Sequence, residues 1–289
     1  MKSGFVALVG RPNVGKSTLL NALVGHKVAI TSEKPQTTRR RILGILNLPG
    51  AQIIFVDTPG VHRPHHLLGK RMVGTAVRAF READLVLHVV DGSRPVREGD
   101  RQVAQLLQAA DRPALLVVNK QDLAPRQTGE EFRGLAPYRE VLAVSALREV
   151  GLERLVERVV ARLPEGPRYY PEDAVTDQPA ELVIAELIRE KVLGVIRQEV
   201  PHAVAVEVEE MASRGRVTHV RAVIYVEKES QKGILIGRGG TRLKEIGTLA
   251  RPEVEEVLGT PAYLELWVKV RGDWRNRPGS LESLGFREH

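Results

Sequence analysis

"GRPNVGKST", residues 10–18, follows directly on the apolar run "FVALV" of residues 5–9. Glycine, four intervening residues, glycine, lysine and serine form the spacing of a phosphate-binding loop. The glycines let the backbone curl so that successive N–H groups converge on phosphate oxygens. A helix begun at that point turns the positive end of its dipole toward the same anion. The flanks fit, because a strand-like run precedes the loop and the amphipathic "STLLNALVG" follows it. Gly10, Asn13, Val14, Gly15, Lys16, Ser17 and Thr18 are therefore candidates for binding a triphosphate. Lys16 would reach the β- and γ-phosphates, and the Ser17 hydroxyl would be a ligand of Mg²⁺.

A chain of 289 residues holds one large domain or two ordinary ones. Its 43% hydrophobic and 27% charged residues are those of a folded soluble protein. No stretch is apolar enough to span a bilayer, and the start "MKSGFVALVG" lacks a signal-peptide cleavage pattern. The absence of cysteine excludes disulfides and thiolate zinc sites, and a cytoplasmic protein is the simplest expectation. The net charge of +7 invites a polyanionic partner, but it is unevenly spread. Residues 1–166 hold 25 Lys and Arg against 16 Asp and Glu, and residues 167–289 hold 18 against 20. Charge alone does not decide for nucleic acid.

Strand-like runs recur through the first part: "FVALVG", "RRILGILNL", "QIIFVDTPG", "ADLVLHVVDG", "PALLVVNK" and "EVLAVSA". Several are continuously apolar, as in strands buried on both faces of a mainly parallel sheet. Between them, "LGKRMVGTAVRAFREA" and "GDRQVAQLLQAA" repeat apolar residues at helical spacing. The expected fold class is α/β, a three-layer sandwich that binds ligands at the carboxyl ends of its strands. The remaining polar signatures fall there. "DTPG" ends the third run, where Asp57 can hold Mg²⁺ and Gly60 can offer its N–H to a γ-phosphate. "NKQD" ends the fifth, where Asn119 and Asp122 have the spacing for a base edge, Asp122 accepting from the two N–H donors that mark guanine, and Lys120 between them is a further candidate for binding the nucleotide. "SA" ends the sixth, where a backbone N–H of Ser145 or Ala146 can meet the guanine carbonyl.

Taken in order, GRPNVGKS, QTTRR, DTPG, NKQD and SA make residues 4 to about 163 resemble the translation-factor-related GTPases. The resemblance implies GTP and GDP as ligands, Mg²⁺ held by Ser17, Thr38 and Asp57, and catalytic roles for Lys16, Thr38, Gly60 and Asn13. It makes "HKVAITSEKPQTTRRR" switch I, with Thr37 the alternative to Thr38 because adjacent threonines leave the register open by one. Switch II would run from Gly60 to about His66. Many GTPases position the attacking water with a glutamine after this motif. Here the position is Val61, and His62, His65 and His66 nearby are commoner as solvated loop residues than as catalysts. A hydrophobic residue there resembles a subgroup of slow GTPases, in some of which the loop asparagine helps hold K⁺. That implies slow, potassium-stimulated turnover with Asn13 in that role, although Asn13 can equally be a turn residue.

The first domain is expected over 1–163, a proline-rich linker over 164–179, and a second domain with its tail over 180–289. In the second, Leu182, Ala185, Ile188, Val192 and Val195 lie on one face of a helix that Pro201 stops. Two alternating strands, a helical turn, a helix and a last strand give the order α-β-β-α-α-β. Ile236, Gly237, Arg238, Gly239 and Gly240 join the turn to a helix bearing Arg242 and Lys244. A G-x-x-G loop admits a nucleic-acid backbone close to the main chain while an apolar groove takes bases. Residues 228–251, including Lys232, hold six Lys or Arg against two Glu, a basic patch in an otherwise acidic domain. This region resembles a smaller α+β domain, the KH domain of type II, so these residues are RNA-binding candidates. Trp274 in the tail is expected to pack, while Arg271, Arg275 and Arg277 could contact RNA.

A GTPase domain followed by one type II KH domain resembles the Era family over essentially the full chain. The resemblance implies binding of single-stranded RNA near the 3′ end of small-subunit ribosomal RNA, and a role in assembling the small ribosomal subunit. It also implies peripheral contact with the inner face of the cytoplasmic membrane; a monomer is the default expectation. The alternative is an RNA chaperone in which GTP is a structural ligand and its hydrolysis incidental.

Overall fold

A computed structural model describes residues 1–34, 36–123, 129–196 and 203–286. They form two compact units, residues 1–65 with 69–177, and residues 178–289 with 66–68.

The first unit is built on β1 (Lys2–Val9), β2 (Ile42–Leu48), β3 (Ala51–Asp57), β4 (Leu85–Asp91), β5 (Ala114–Asn119) and β6 (Glu140–Ala143). The strands lie in the order β2-β3-β1-β4-β5-β6, parallel except for β2, which runs antiparallel to β3 at one edge. Alternation along each strand feeds two cores. Val6, Leu8, Phe55, Leu87 and Val117 face α1 (Lys16–Val24) and α5 (Leu152–Val160) through Leu19, Leu20, Leu155 and Val159. Ala7, Val9, Ile54 and Val86 face α2 (Leu67–Glu82) and α3 (Glu98–Ala110) through Ala76, Phe80, Val103 and Leu107. The result is the expected α/β sandwich, with α4 (Glu130–Arg133) a short turn before β6.

Residues 164–177, expected to be linker, are instead a strap on this unit. Gln52 is fully buried in β3, and its amide must find partners there. It accepts from the backbone N–H groups of Tyr169 and Tyr170 at 2.8 and 3.1 Å and donates to the Tyr170 carbonyl at 2.9 Å. Further on, Ile45 N–H donates to Val175 O at 2.9 Å, and the Thr176 hydroxyl to Leu43 O at 2.7 Å. The strap thus satisfies backbone groups along the outer edge of β2.

The second unit begins with α6 (Ala180–Val195). Its buried face is Ile184, Ala185, Leu187, Ile188 and Val192, with Leu182 and Val195 at its margins. The helix ends before an extended Ile196, and Pro201 lies outside the described residues. Then come β7 (Ala205–Arg214), β8 (Val217–Val226), α7 (Glu229–Ile236), α8 (Thr241–Leu258) and β9 (Ala262–Val270). β7 pairs antiparallel with β8, and β8 parallel with β9, giving the expected α-β-β-α-α-β order. Trp274 is fully buried and donates its indole N–H to Ala203 O at 2.8 Å. Arg271 lies 4.1 Å over the Tyr225 ring, and Arg275 pairs with Glu227, so both are engaged within the unit.

Candidate functional site

In the first unit the strand ends open onto a cavity of about 840 Å³. Gly15 ends the phosphate loop at φ 93°, a left-handed conformation that a side chain disfavours. A Cβ there would also lie 2.4 Å from the Asn119 amide nitrogen. The Lys16 ammonium is buried and donates to Gly10 O at 3.3 Å and Arg11 O at 3.2 Å. Burial lowers its pKa from the ordinary lysine value, and the charge of Asp57 offsets this in part.

Three side chains meet beside it. The Ser17 hydroxyl lies 2.7 Å from Asp57 Oδ2 and 2.8 Å from Thr38 Oγ1, and Thr38 donates to the same Asp57 oxygen at 3.0 Å. Asp57 is fully buried, and its Oδ1 has no hydrogen-bond partner among the described residues. Burial raises its pKa, against the lowering effects of Lys16 and of the two hydroxyls. Hard oxygen ligands around a carboxylate oxygen left open are the donor set that suits Mg²⁺. The residues therefore fit the metal. Thr37 turns away and donates to Lys34 O at 2.7 Å.

The switch segments touch both the loop and each other. The Asn13 amide donates to Glu33 O, and Asn13 itself sits at φ 64°. Gly60 packs on the loop, with Pro12 so close that a Cβ on Gly60 would meet its nitrogen at 2.7 Å. Val61 is buried and donates its N–H to Gly10 O at 3.3 Å. The His62 ring bridges the segments: Nδ1 lies 2.8 Å from Gly60 O, and Nε2 lies 3.0 Å from the Gln36 amide nitrogen. One tautomer satisfies both contacts, Nδ1–H donating and Nε2 accepting. His65, by contrast, is exposed.

At the other end of the cavity Asn119 ties two loops together. Its Nδ2 donates to Val14 O at 3.0 Å, and its Oδ1 accepts from Ala146 N–H at 3.0 Å. Lys120 donates to Asn13 O at 2.8 Å and to Asp91 Oδ2 at 2.9 Å. Burial alone would raise Asp91, but hydrogen bonds from Ser93 and Lys120 outweigh it and hold the carboxyl low. Ser145 donates to Asp122 Oδ1, fixing the carboxylate intended for the base edge. Thr18 lines the same cavity.

In the second unit the G-x-x-G loop takes the backbone angles that its glycines permit, with φ 73° at Gly237, 59° at Gly239 and 81° at Gly240. Gly240 and Lys244 line a groove of about 370 Å³ between α8 and β9, floored by Leu264 and Leu266. Arg238 and Lys244 are exposed, and Lys232 and Ile236 are half-buried. Arg242 is exposed, and its Nη1 donates to Ile234 O at 2.9 Å, at the end of α7. Orphan carbonyls at a helix terminus explain that choice.

Against known proteins, residues 5–120 match the model of the 50S ribosome-binding GTPase family, and residues 199–275 match that of the KH domain. The GTPase Era of Heliobacterium modesticaldum is 51% identical over 295 aligned residues, covering 100% of this chain and 98% of that protein. The chain belongs to the Era family of GTPases. Two Era crystal structures, each 42% identical, superpose with a TM-score of 0.96 over 100% of both chains. One is a point variant of Aquifex aeolicus Era bound to GDP·AlF4⁻, and the other is Era in complex with MgGDPNP and nucleotides 1506–1542 of 16S ribosomal RNA.

This Era-family site also contains residues that the motifs did not single out. Gln36, Leu123 and Leu147 line the cavity at the strand ends, the two leucines being 46% and 70% exposed. Thr248 and Arg251 line the KH groove. Their spacing from Lys244, four and seven residues along α8, was the available signal.

Proposed function

We propose that this GTPase is a nucleotide-operated switch that binds single-stranded RNA near the 3′ end of small-subunit ribosomal RNA and assists assembly of the small ribosomal subunit. The observation that carries the switch is the meeting of Ser17, Thr38 and Asp57 at one point. There the phosphate loop, switch I and the end of β3 share hydrogen bonds of 2.7–3.0 Å. Mg²⁺ held by these three residues would neutralise charge on the β- and γ-phosphates. Lys16 adds a second positive charge over the same oxygens, and Gly60 N–H senses the terminal phosphoryl group. Loss of that group removes the contacts that order both switch segments, which turns hydrolysis into a conformational signal. Asp122 accepts from the guanine N–H donors, and the loop carrying Ser145 and Ala146 closes over the same base.

The RNA reading is supported by the relative captured with 16S ribosomal RNA nucleotides and by the KH groove of this chain. Lys232, Arg238 and Lys244 hold phosphates, Gly237, Gly239 and Gly240 admit the backbone, and Ile236 packs on a base. A passive module with incidental hydrolysis is the weaker reading, because a purely structural nucleotide does not need switch I gathered onto Asp57. Val61 offers no hydrogen bond to water, so intrinsic turnover is slow, and we assign Asn13 a role in holding K⁺. We take the protein to be a cytoplasmic monomer; no helix among the described residues is long and apolar enough to cross a membrane. Peripheral membrane contact rests on the family resemblance alone.

GTP turnover in potassium buffer, with and without an RNA matching nucleotides 1506–1542, tests the switch. Stimulation by RNA is expected. Tight RNA binding without stimulation would refute the coupling, and equal rates in sodium and potassium would refute the role given to K⁺.

A further inference from the structure

Arg11 stands second in the phosphate loop, between Gly10 and Pro12, and its side chain is largely buried, 11% exposed. The guanidinium turns onto Asp100 in the first turn of α3. Its Nε lies 3.2 Å from Asp100 Oδ1 and 3.3 Å from Oδ2. Its Nη2 lies 3.8 Å from Asp91 Oδ2 and finds no hydrogen bond among the described residues. Gly99 makes room for it, since a Cβ there would lie 3.1 Å from the Arg11 Cβ. Asp100 is fully buried and is itself fixed, because its Oδ2 accepts the Arg97 N–H at 2.9 Å at the start of the helix. The helix dipole favours its negative charge there.

A buried ion pair is an expensive way to join two elements, because apolar residues of similar size do it as well or better. One retained in the wall of a catalytic site, with a donor left unsatisfied, is better explained by position than by stability. The backbone of the same residue shows what is positioned. Arg11 O accepts from the Lys16 ammonium at 3.2 Å, and Gly10 O accepts from it at 3.3 Å. Lys16 is buried, and burial works against its charge, so the acceptors that hold it decide where that charge sits. Beyond Pro12, Lys120 donates to Asn13 O at 2.8 Å and to Asp91 Oδ2 at 2.9 Å. Asp100 and Asp91 thus brace the loop on both flanks of a proline whose φ is already fixed.

We infer that Arg11 is a positioning residue for the GTPase reaction: through its pair with Asp100 it holds the carbonyl that aims the Lys16 ammonium at the phosphates. The inference rests on the reading of Lys16 as the residue that neutralises the β- and γ-phosphates. Arg11 itself touches no reacting atom. A misplaced ammonium loses more in the transition state than in the ground state, because charge is redistributed over the phosphate oxygens as the bond breaks. Turnover at saturating GTP therefore falls along with affinity.

The test uses the full chain carrying Arg11→Gln, Asp100→Asn, both together, or Arg11→Lys. GDP affinity is read by calorimetry, kcat and KM by phosphate release, and folding by circular dichroism. Each single loss-of-charge variant is expected to bind GDP about tenfold more weakly and to turn over GTP about threefold more slowly at saturation. Asparagine still accepts the Arg97 N–H, so the start of α3 stays intact. The double variant should lose no more than either single one, because both remove the same contact. Arg11→Lys, whose ammonium reaches the same carboxylates, should recover to within about threefold of wild type. A merely structural pair behaves differently, since saturating GTP refolds a destabilised variant by binding and kcat returns to the wild-type value. That outcome would overturn the proposal. So would an unchanged Asp100→Asn beside an impaired Arg11→Gln, which would place Arg11 on the nucleotide itself. Lys16→Ala separates the proposal from its premise. GDP binding lost there, with Arg11→Gln unchanged, would refute the pair alone; GDP binding retained there would refute the assignment of Lys16 as well.

Discussion

Replacing Asn119 with alanine should weaken nucleotide binding without removing any group that touches a phosphate. The side chain is 1% exposed and makes two 3.0 Å hydrogen bonds, one to the Val14 carbonyl and one from the Ala146 N–H. The Asn119→Ala variant leaves both backbone groups buried and unpaired. Each costs on the order of 1–2 kcal/mol, giving about 3 kcal/mol in total. Val14 belongs to the loop that holds phosphates, and Ala146 to the loop that meets the base. The cost therefore falls on the arrangement that grips both ends of the ligand. About 3 kcal/mol corresponds to roughly a 150-fold loss of affinity. Titration calorimetry with GDP on the full chain, alongside far-ultraviolet circular dichroism, reads it directly. Asn119→Asp retains an acceptor for Ala146 but sets a buried carboxylate oxygen against the Val14 carbonyl, and should lose at least as much. A folded Asn119→Ala protein that binds GDP within threefold of wild type would show that Asn119 is not the clamp described here.

Gly239→Asp should lower single-strand RNA affinity at least tenfold, with GDP affinity unchanged. The position has φ 59°, which aspartate tolerates, and open space around a new Cβ, so the added charge meets phosphates without unfolding the loop. Lys16→Ala should abolish GTP binding, so that adding GTP no longer changes RNA affinity; an undiminished GTP effect on RNA would contradict the assignment. His88 predicts a pH dependence. It is fully buried on β4, bonded to the Tyr138 hydroxyl at 2.6 Å, and burial depresses its pKa from 6.5 to about 3. The unfolded chain binds this proton first, so stability falls as pH drops from about 6.5 toward 3. The loss should reach about 2 kcal/mol between pH 7 and 5. In urea titrations His88→Gln should be flatter over that window, and parallel curves would rule His88 out as the cause.

The nucleotide site was legible because its motifs are local. Spacing within ten residues places Gly10, Gly15, Lys16 and Ser17 on one turn, and strand polarity brings Asp57 and Asn119 to the same end of the sheet. Thr37 and Thr38 could not be told apart in the same way. Their difference depends on which hydroxyl reaches Asp57 across nineteen or twenty positions of chain, and in the structure Thr38 does. The 164–177 strap was hidden for a related reason. Its prolines and polar residues read as linker, while the cause of its docking, the buried amide of Gln52, lies more than a hundred residues earlier. Sequence gives the charge of Arg242 and not the Ile234 carbonyl within its reach.

The strap changes where this protein can be cut. An edge strand with open N–H and C=O groups is a template for pairing with another chain. β2 is such an edge, and the segment around Val175 and Thr176 occupies it. A fragment stopped at residue 163, after the last helix of the sandwich, would uncover that edge and invite strand-to-strand aggregation. One carried on to residue 177 would take its own guard along.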